Sequence, residues 1–600
     1  MAVLQEVTQT EEDRSIMNFK KYLFPIFVLA LAYLLFSSDD AKLIIAGITI
    51  FLIGMVFMED GFKLFSGGVI EKVLKKTTSS VPKAIGAGFV ATAIVQSSSL
   101  LTIIVISFLS AELISLSGAI GVIFGSNIGT TATAWIVSAF GVKIKIAQFA
   151  LPMIIFGVVF RFKDAKSYQG IGTILVGLGF VFLGIGYMKE GFDALKGGID
   201  LASYAMDGYL GVLVYVLIGS VATVVIQSSS ATMALIITAL ATGQIEYFNA
   251  LELAIGANIG TTVTAILGSL SSNANGKRLA IAHLIFNIVT GFVAIVFLYQ
   301  LASLVAYLSS MIGINETDYA MQLALFHTIF NVLGILVVAP FTSYLVKFLE
   351  SLFIEVKDVD KARYLDDIVI NVPEAALEVV RKEVEHLYDN SIEVISHALS
   401  LHRHQYLGCE DMSHVIKHSD EKINTDINVF YDNNIKEIYG QILYYATKAQ
   451  ENMNEEQKMK VYELKVSCRD IVESIKYVRE IQKNIKIYLT SSNEIMKAEY
   501  NLIRKEIAEA IDTINKIRNM DDDLDILSNI ELLKKEIDKL DLIQNGKIDS
   551  LIRTDKIKRK MATSLINDNS FAYDISKNLI NTASILWIKD SDIQELRESS

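Results

Sequence analysis

The chain has 600 residues and a formal charge of −12, with 36 glycines, five prolines and two cysteines. That length exceeds one domain, and Cys409 and Cys468 read as reduced thiols of a cytosolic domain rather than as a disulfide. The net charge averages two unlike parts and excludes little beyond a basic nucleic-acid-binding surface, so nucleic acid is not expected as a partner.

The two parts meet near residue 355. Only Gly408, Gly440 and Gly546 lie beyond it, leaving 33 glycines before it (36 − 3), and no proline follows Pro373. The first part is apolar and glycine-rich, as membrane helices often are. The second is rich in Lys, Glu, Asp, Ile and Leu and nearly free of helix breakers, which predicts soluble helices. An all-α fold class follows, with a polytopic membrane domain over 1–355 and a helical domain over 361–600.

In chain order, residues 1–18 are polar and acidic. The first apolar run, Tyr22 to Phe36, leads straight into a second, so no cleavable signal is expected. Full crossings are predicted at 20–37, 42–60, 114–141, 146–162, 169–188, 250–271, 278–300 and 320–347. Two stretches, 82–110 and 209–243, hold polar residues mid-way and are predicted as re-entrant hairpins.

Those polar residues are one phrase written twice. Gln96-Ser97-Ser98-Ser99 returns as Gln227-Ser228-Ser229-Ser230, and Gly125-Ser126-Asn127-Ile128-Gly129-Thr130-Thr131 returns as Gly256-Ala257-Asn258-Ile259-Gly260-Thr261-Thr262. The offset is 131 for both (227 − 96 and 258 − 127). Repeat one covers about 41–162 and repeat two about 169–300.

Positive charge orients the chain. With the N-terminus inside, the inner segments hold Lys20 and Lys21, Lys72 to Lys83, Arg161 to Lys166, Lys277 with Arg278, and Lys347. The outer segments hold Asp39 and Asp40, Glu190 to Asp207, and Glu316 with Asp318; Lys143 and Lys145 are the main exception. Three crossings and one hairpin separate equivalent points of the repeats, and an odd number of crossings inverts the second copy. The hairpins then enter from opposite faces, an arrangement that suits alternating access. Both termini fall in the cytoplasm.

Chemistry follows from what the hairpins lack. No charged side chain lies between Lys83 and Glu112, nor between Asp207 and Glu246. An anion there is held by hydroxyls, amides, helix N-termini and co-bound cations. The Gly-x-Asn-Ile-Gly-Thr-Thr segments are expected to be unwound, offering oxygens that suit a hard cation such as Na+. The plainer alternative is close helix packing by Gly, Ser and Thr; the paired, inverted copies with Gln at the head of each argue against it. His283-Leu284-Ile285-Phe286-Asn287 is echoed by His327-Thr328-Ile329-Phe330-Asn331, read as a lock between two helices. Glu59, Asp60 and Glu190 are read as interfacial. No nucleophile–base pair or metal-ligand cluster stands out in the membrane part, so an enzyme is not expected.

The paired words resemble the type II sodium/phosphate cotransporter family over about residues 40–350. The resemblance implies inorganic phosphate as substrate and Na+ as coupling ion, with no organic cofactor, in the plasma (inner) membrane. It implies substrate and ion sites at Gln96, Ser97, Ser98, Ser99, Gln227, Ser228, Ser229 and Ser230, with Asn127, Thr130, Thr131, Asn258, Thr261 and Thr262 lining the same cavity. Gln96, Asn127, Gln227 and Asn258 would be the Na+ ligands.

Residues 361–600 resemble the PhoU-like helical domain of bacterial members. Ile471, Ile475, Val478 and Ile481 recur at helical spacing among charges, as in a bundle. Glu385 and Asp389 match the Glu-x-x-x-Asp metal spacing of such domains, whereas Tyr477 stands four residues after Glu473. Sequence leaves the direction of transport open, and with it a phosphate exporter on the same fold. It also leaves open a homodimer, a cytoplasmic partner acting through the tail, and a membrane-bound phosphate sensor.

Overall fold

The computed structural model of the chain describes residues 31–66, 69–141, 147–195, 208–270, 272–353, 361–419, 421–423, 426–520, 523–537, 547–554 and 556–588, with Pro25, Val28 and Leu29. The predicted crossing at 20–37 lies largely outside them. Every regular element among the described residues is helical. The chain forms two compact units, Met1–Ile354 and Glu355–Ser600.

Among its described residues the first unit contains seven helices long and apolar enough to cross a membrane. Its elements begin with α1 (Asp39–Ser66), α2 (Val81–Val95), α3 (Ser98–Ser110), α4 (Leu116–Gly129) and α5 (Thr131–Ile136). They continue with α6 (Ala147–Arg161), α7 (Lys166–Leu195), α8 (Gly208–Ile226), α9 (Ser229–Ala241) and α10 (Tyr247–Ser269). Then come α11 (Ala274–Val296), α12 (Leu298–Ile312) and α13 (Tyr319–Val338), with a shorter helix, Thr342–Leu352, after them.

Glycines hold this unit together by removing side chains where backbones touch. On α1 and α7, Gly47 faces Gly184, Gly54 faces Gly177 and Gly61 faces Gly170. A Cβ added at Gly54 would lie 2.6 Å from the Gly177 carbonyl, and one at Gly177 would lie 2.6 Å from that of Gly54. Seven residues up one helix match seven down the other, so the two run antiparallel.

The hairpins repeat in space as they do in sequence. A Cβ at Gly125 of α4 would meet Ile85 O of α2 at 1.9 Å, and one at Gly256 of α10 would meet Val216 O of α8 at 2.0 Å. The reciprocal contacts are Gly88 on Val122 O at 2.1 Å and Gly219 on Leu253 O at 2.2 Å. All four partners move by 131 between the copies, and in each copy the packed helices run parallel. Adding 131 to the bounds of α3 gives those of α9. The copies differ in length, since α2 has 15 residues and α8 has 19. At 1.5 Å per residue these are about 22 and 28 Å, against roughly 30 Å of hydrocarbon.

One expectation fails. The second Asn-Gly-Thr-Thr segment is not unwound, because α10 runs unbroken through Asn258 and Thr262. The first is interrupted at Thr130 alone, between α4 and α5. The flanking glycines, Gly125 with Gly129 and Gly256 with Gly260, serve the close approach to α2 and α8 instead.

The second unit contains α14 (Pro373–Ala398), α15 (Glu455–Tyr488), α16 (Glu494–Arg518) and α17 (Arg559–Trp587) among shorter helices. Ile471, Ile475, Val478 and Ile481 all face its core, at 1 % exposure or less, each adding on the order of 2 kcal/mol of burial. Arg504 is fully buried and donates to the carbonyls of Leu399, Ser400 and Ser419, pinning the loop after α14. Cys409 and Cys468 are free thiols. Glu385 and Asp389 are each held by an arginine: Arg381 pairs with the first at 2.6 Å and Arg518 with the second at 2.6 Å. Burial pushes the Glu385 carboxyl above its ordinary value, against the pull of both arginines. No cluster of three metal-ligating side chains occurs among the described residues.

Candidate functional site

Each Gln-Ser-Ser-Ser word is the sharp corner between two helices. Gln96 ends α2 with φ 60° and Gln227 ends α8 with φ 57°, left-handed conformations that cost a non-glycine residue about 1–3 kcal/mol. Each Gln N–H closes the preceding helix, on Thr92 O and Thr223 O respectively, at 2.7 Å. The next residue caps the following helix: Ser97 Oγ accepts from Leu100 N and Ser228 Oγ from Ala231 N, each at 3.2 Å. Each corner therefore presents the N-terminus of a helix, α3 or α9, beside uncharged polar groups.

Beyond this the tips differ. Gln96 is buried, donates from Nε2 to Ala93 O and accepts at Oε1 from Thr133 Oγ1 at 2.7 Å. Thr133 Oγ1 also lies 3.2 Å from Ser230 Oγ. Thr133, on α5, thus joins the two tips, at 3 % exposure against 6 % for Gln96 and 7 % for Ser230. The counterparts 131 residues away are not joined. Gln227 and Ser99 are exposed, and Thr264 Oγ1 turns back to Thr261 O of its own helix at 2.7 Å.

Two residues at the tips were not read as site residues in the sequence. Thr133 had a signal, because two residues past the repeated word both copies again carry a threonine, Thr133 in one and Thr264 in the other. Glu59 had none. It reaches the first tip from α1, 38 residues away in sequence, and accepts at Oε2 from Ser97 Oγ at 2.9 Å. Lys63 Nζ contacts its other oxygen at 2.8 Å. A carboxylate therefore stands at a tip that the sequence marks as uncharged, and the reading of Glu59 as merely interfacial is corrected.

The Asn-Gly-Thr-Thr residues divide. Asn127 Nδ2 donates to Ile123 O, Thr130 Oγ1 to Asn127 O and Thr131 Oγ1 to Ile128 O, all within their own stretch of chain. Thr261 Oγ1 and Thr262 Oγ1 likewise bond Ala257 O and Ile259 O. Asn258 instead reaches across helices. Its Nδ2 donates to Asn331 Oδ1 at 2.9 Å and Asn287 Oδ1 at 3.3 Å, and its Oδ1 lies 3.4 Å from His327 Nε2. The echoed His-Asn words of α11 and α13 thus meet on Asn258.

Comparison with known proteins decides what kind of molecule this is. The model of the Na+/Pi-cotransporter family matches residues 50–190 and 210–337, a span that holds both tips and Asn258. The chain belongs to this family. YjbB of Salmonella typhimurium, provisionally named an inorganic phosphate export protein, is 25 % identical over 355 residues, 58 % of this chain and 62 % of YjbB. YqeW of Bacillus subtilis, which is uncharacterized, is 30 % identical over 299 residues, 49 % of this chain and 92 % of YqeW. Sodium-dependent phosphate transport protein 2B of Homo sapiens is 39 % identical over 87 residues, 14 % of this chain and 12 % of that protein. The chain thus aligns with less than two thirds of the length of its YjbB relatives. No solved structure matches it. As a Na+/Pi-cotransporter family member with seven helices among its described residues long and apolar enough to span a bilayer, it is a multi-pass membrane protein of a transporter family.

Proposed function

We propose that the chain moves inorganic phosphate across the plasma membrane, coupled to Na+, as an alternating-access symporter. The observation that carries this is the bridge at Thr133. It draws Gln96 of one tip and Ser230 of the other to a single point, where the N-termini of α3 and α9 and their serine hydroxyls can share one anion. Ser98, Ser99 and Ser229 complete the donor set beside Ser97 and Ser228, whereas Gln96, Asn127, Gln227 and Asn258 take Na+. The antiparallel packing of α1 on α7 supports an inverted second repeat, because these helices open the two copies. The termini and the PhoU-like tail lie in the cytoplasm, where the tail regulates flux. A second reading, export on the same fold, is favoured by the name of the YjbB relatives.

The test is ³²P-phosphate uptake into proteoliposomes under an inward Na+ gradient against an inward K+ gradient. Na+-dependent uptake blocked by excess unlabelled phosphate supports the symporter. Phosphate movement indifferent to Na+ supports export driven otherwise. No flux under either gradient overturns both readings.

A further inference from the structure

Glu59 brings a carboxylate to a tip whose other groups are hydroxyls, amides and a helix N-terminus. From α1 its Oε2 accepts from Ser97 Oγ at 2.9 Å, while Oε1 meets Lys63 Nζ at 2.8 Å. Lys63 offsets the charge, so the pair does not repel an approaching anion as a bare carboxylate would. Glu59 keeps 27 % of its side chain exposed, within reach of solutes. The second copy is built otherwise. In the echoed words Met58-Glu59-Asp60-Gly61-Phe62 and Met188-Lys189-Glu190-Gly191-Phe192, a lysine stands in the place of Glu59.

A serine hydroxyl has one proton to donate. Ser97 Oγ accepts from Leu100 N as the cap of α3 and gives its proton to Glu59. So arranged, it has nothing left to donate to an anion. It is freed only when Glu59 receives a proton donor from elsewhere. An ionised carboxylate accepts only, so a guest lying against both groups must accept from Ser97 and donate to Glu59. Inorganic phosphate does both, because at neutral pH it carries a proton on one oxygen or two and leaves the others bare. Sulfate carries none. Its oxygens against Glu59 would set acceptor against acceptor with no proton between them, a contact that costs more than a missing hydrogen bond.

We propose that Glu59 is a specificity-determining residue of the first tip, admitting protonated oxyanions and so favouring phosphate over sulfate. This deepens the phosphate-transport reading given above and rests on it. In the exchange Ser97 Oγ turns its proton from Glu59 Oε2 to a bare phosphate oxygen. The phosphate's own O–H takes the vacated place on Oε2. One hydrogen bond becomes two, no proton changes owner, and no bond to phosphorus is made or broken. The cap of α3 survives, because Ser97 still accepts from Leu100 N. The carboxylate is also held on a rigid element. Gly54 and Gly61, on either side of it, press the backbone of α1 against α7.

The test is ³²P-phosphate uptake into proteoliposomes holding the full-length protein, competed with unlabelled phosphate, with sulfate, and with arsenate, which carries protons as phosphate does. In the parent, arsenate should inhibit much as phosphate does, and about a hundredfold excess of sulfate should leave uptake nearly unchanged. Glu59→Gln keeps the size and an acceptor oxygen but adds an N–H donor that sulfate can use. Its half-inhibiting sulfate concentration, relative to that of phosphate, should fall by at least about tenfold. Glu59→Asp keeps the carboxylate and should retain the discrimination, even with slower uptake. A merely structural tie between α1 and the tip would lower the melting temperature of Glu59→Gln and leave the sulfate-to-phosphate ratio at the parent's value, which would overturn the proposal. Sulfate inhibiting the parent as strongly as phosphate would overturn it too, and that result needs no variant to fold. No phosphate flux in the parent would instead remove the transport reading on which the proposal rests.

Discussion

The two repeats share a backbone plan and differ in what their tips hold. Both turn at a left-handed Gln, cap the next helix with Ser, and dock through glycines whose contacts shift by 131 residues. At the first tip the glutamine is sealed in and Ser99 exposed: Gln96 is buried against Thr133, Thr92 Oγ1 donates to Ser126 Oγ at 2.9 Å, and Ser97 holds Glu59. At the second the glutamine is exposed while Ser229 and Ser230 are buried, and Thr223 Oγ1 has no partner because Ala257 stands where Ser126 stands in the first copy. A glutamine amide has four hydrogen-bonding positions that hydrocarbon cannot satisfy, so an exposed Gln227 at mid-chain of a hairpin faces water. Under the transport reading proposed above, near-identical words in unlike states are expected of alternating access. The scaffold is symmetric; the hydrogen bonds are not.

The scaffold half of this comparison breaks most severely. Gly125→Val and Gly256→Val each drive a side chain into a backbone carbonyl that a bare Cβ would already meet at 1.9 or 2.0 Å. Neither should yield folded protein, since overpacking costs about 1–3 kcal/mol even where side chains can yield, and backbone cannot. Monodisperse elution of either variant in detergent would show that the repeats do not rest on this contact. The asymmetric half predicts unequal losses. Thr133→Val should cut phosphate uptake by about tenfold or more, because burying Gln96 and Ser230 without their partner costs roughly 1–3 kcal/mol. Thr264→Val, which loses only a bond within its own helix, should cut it less than about threefold. Equal losses would erase the distinction between the tips. Ser98→Ala and Ser229→Ala, at equivalent places, should each lower uptake several-fold with unchanged melting temperature, and normal uptake by both would leave the anion site elsewhere. The smallest transport effect is expected of His327→Ala, which should lower the melting temperature and leave most uptake in place.

Much of this was legible in the sequence. Period and apolarity gave the helices, because a bilayer demands about 20 apolar residues whatever their partners. The 131-residue offset located both corners, since a helix break inside apolar sequence is rare enough to mark itself. What sequence misread was the purpose of the glycines around Asn127 and Asn258. Glycine permits unwinding and close approach alike, and only the neighbouring helix, invisible in one dimension, tells which. The predicted break at Asn258 therefore proved to be an intact helix pressed against α8. Glu59 escaped for a similar reason: its helix-end position suggested an interface, and only folding carries it to Ser97. The His-Asn words were visible, but their meeting on Asn258 depends on three helices at once.

The most direct measurement compares two cysteines at equivalent places. Ser99→Cys and Ser230→Cys would be placed singly in a Cys409→Ser, Cys468→Ala background and labelled with a membrane-impermeant maleimide. The account predicts fast labelling at position 99, slowed by phosphate with Na+, and little at position 230, where the parent serine is 7 % exposed against Thr133. Equal labelling at both positions, or labelling at 99 that phosphate does not slow, would contradict an anion site reached past Ser99 and shut off at Ser230 by Thr133.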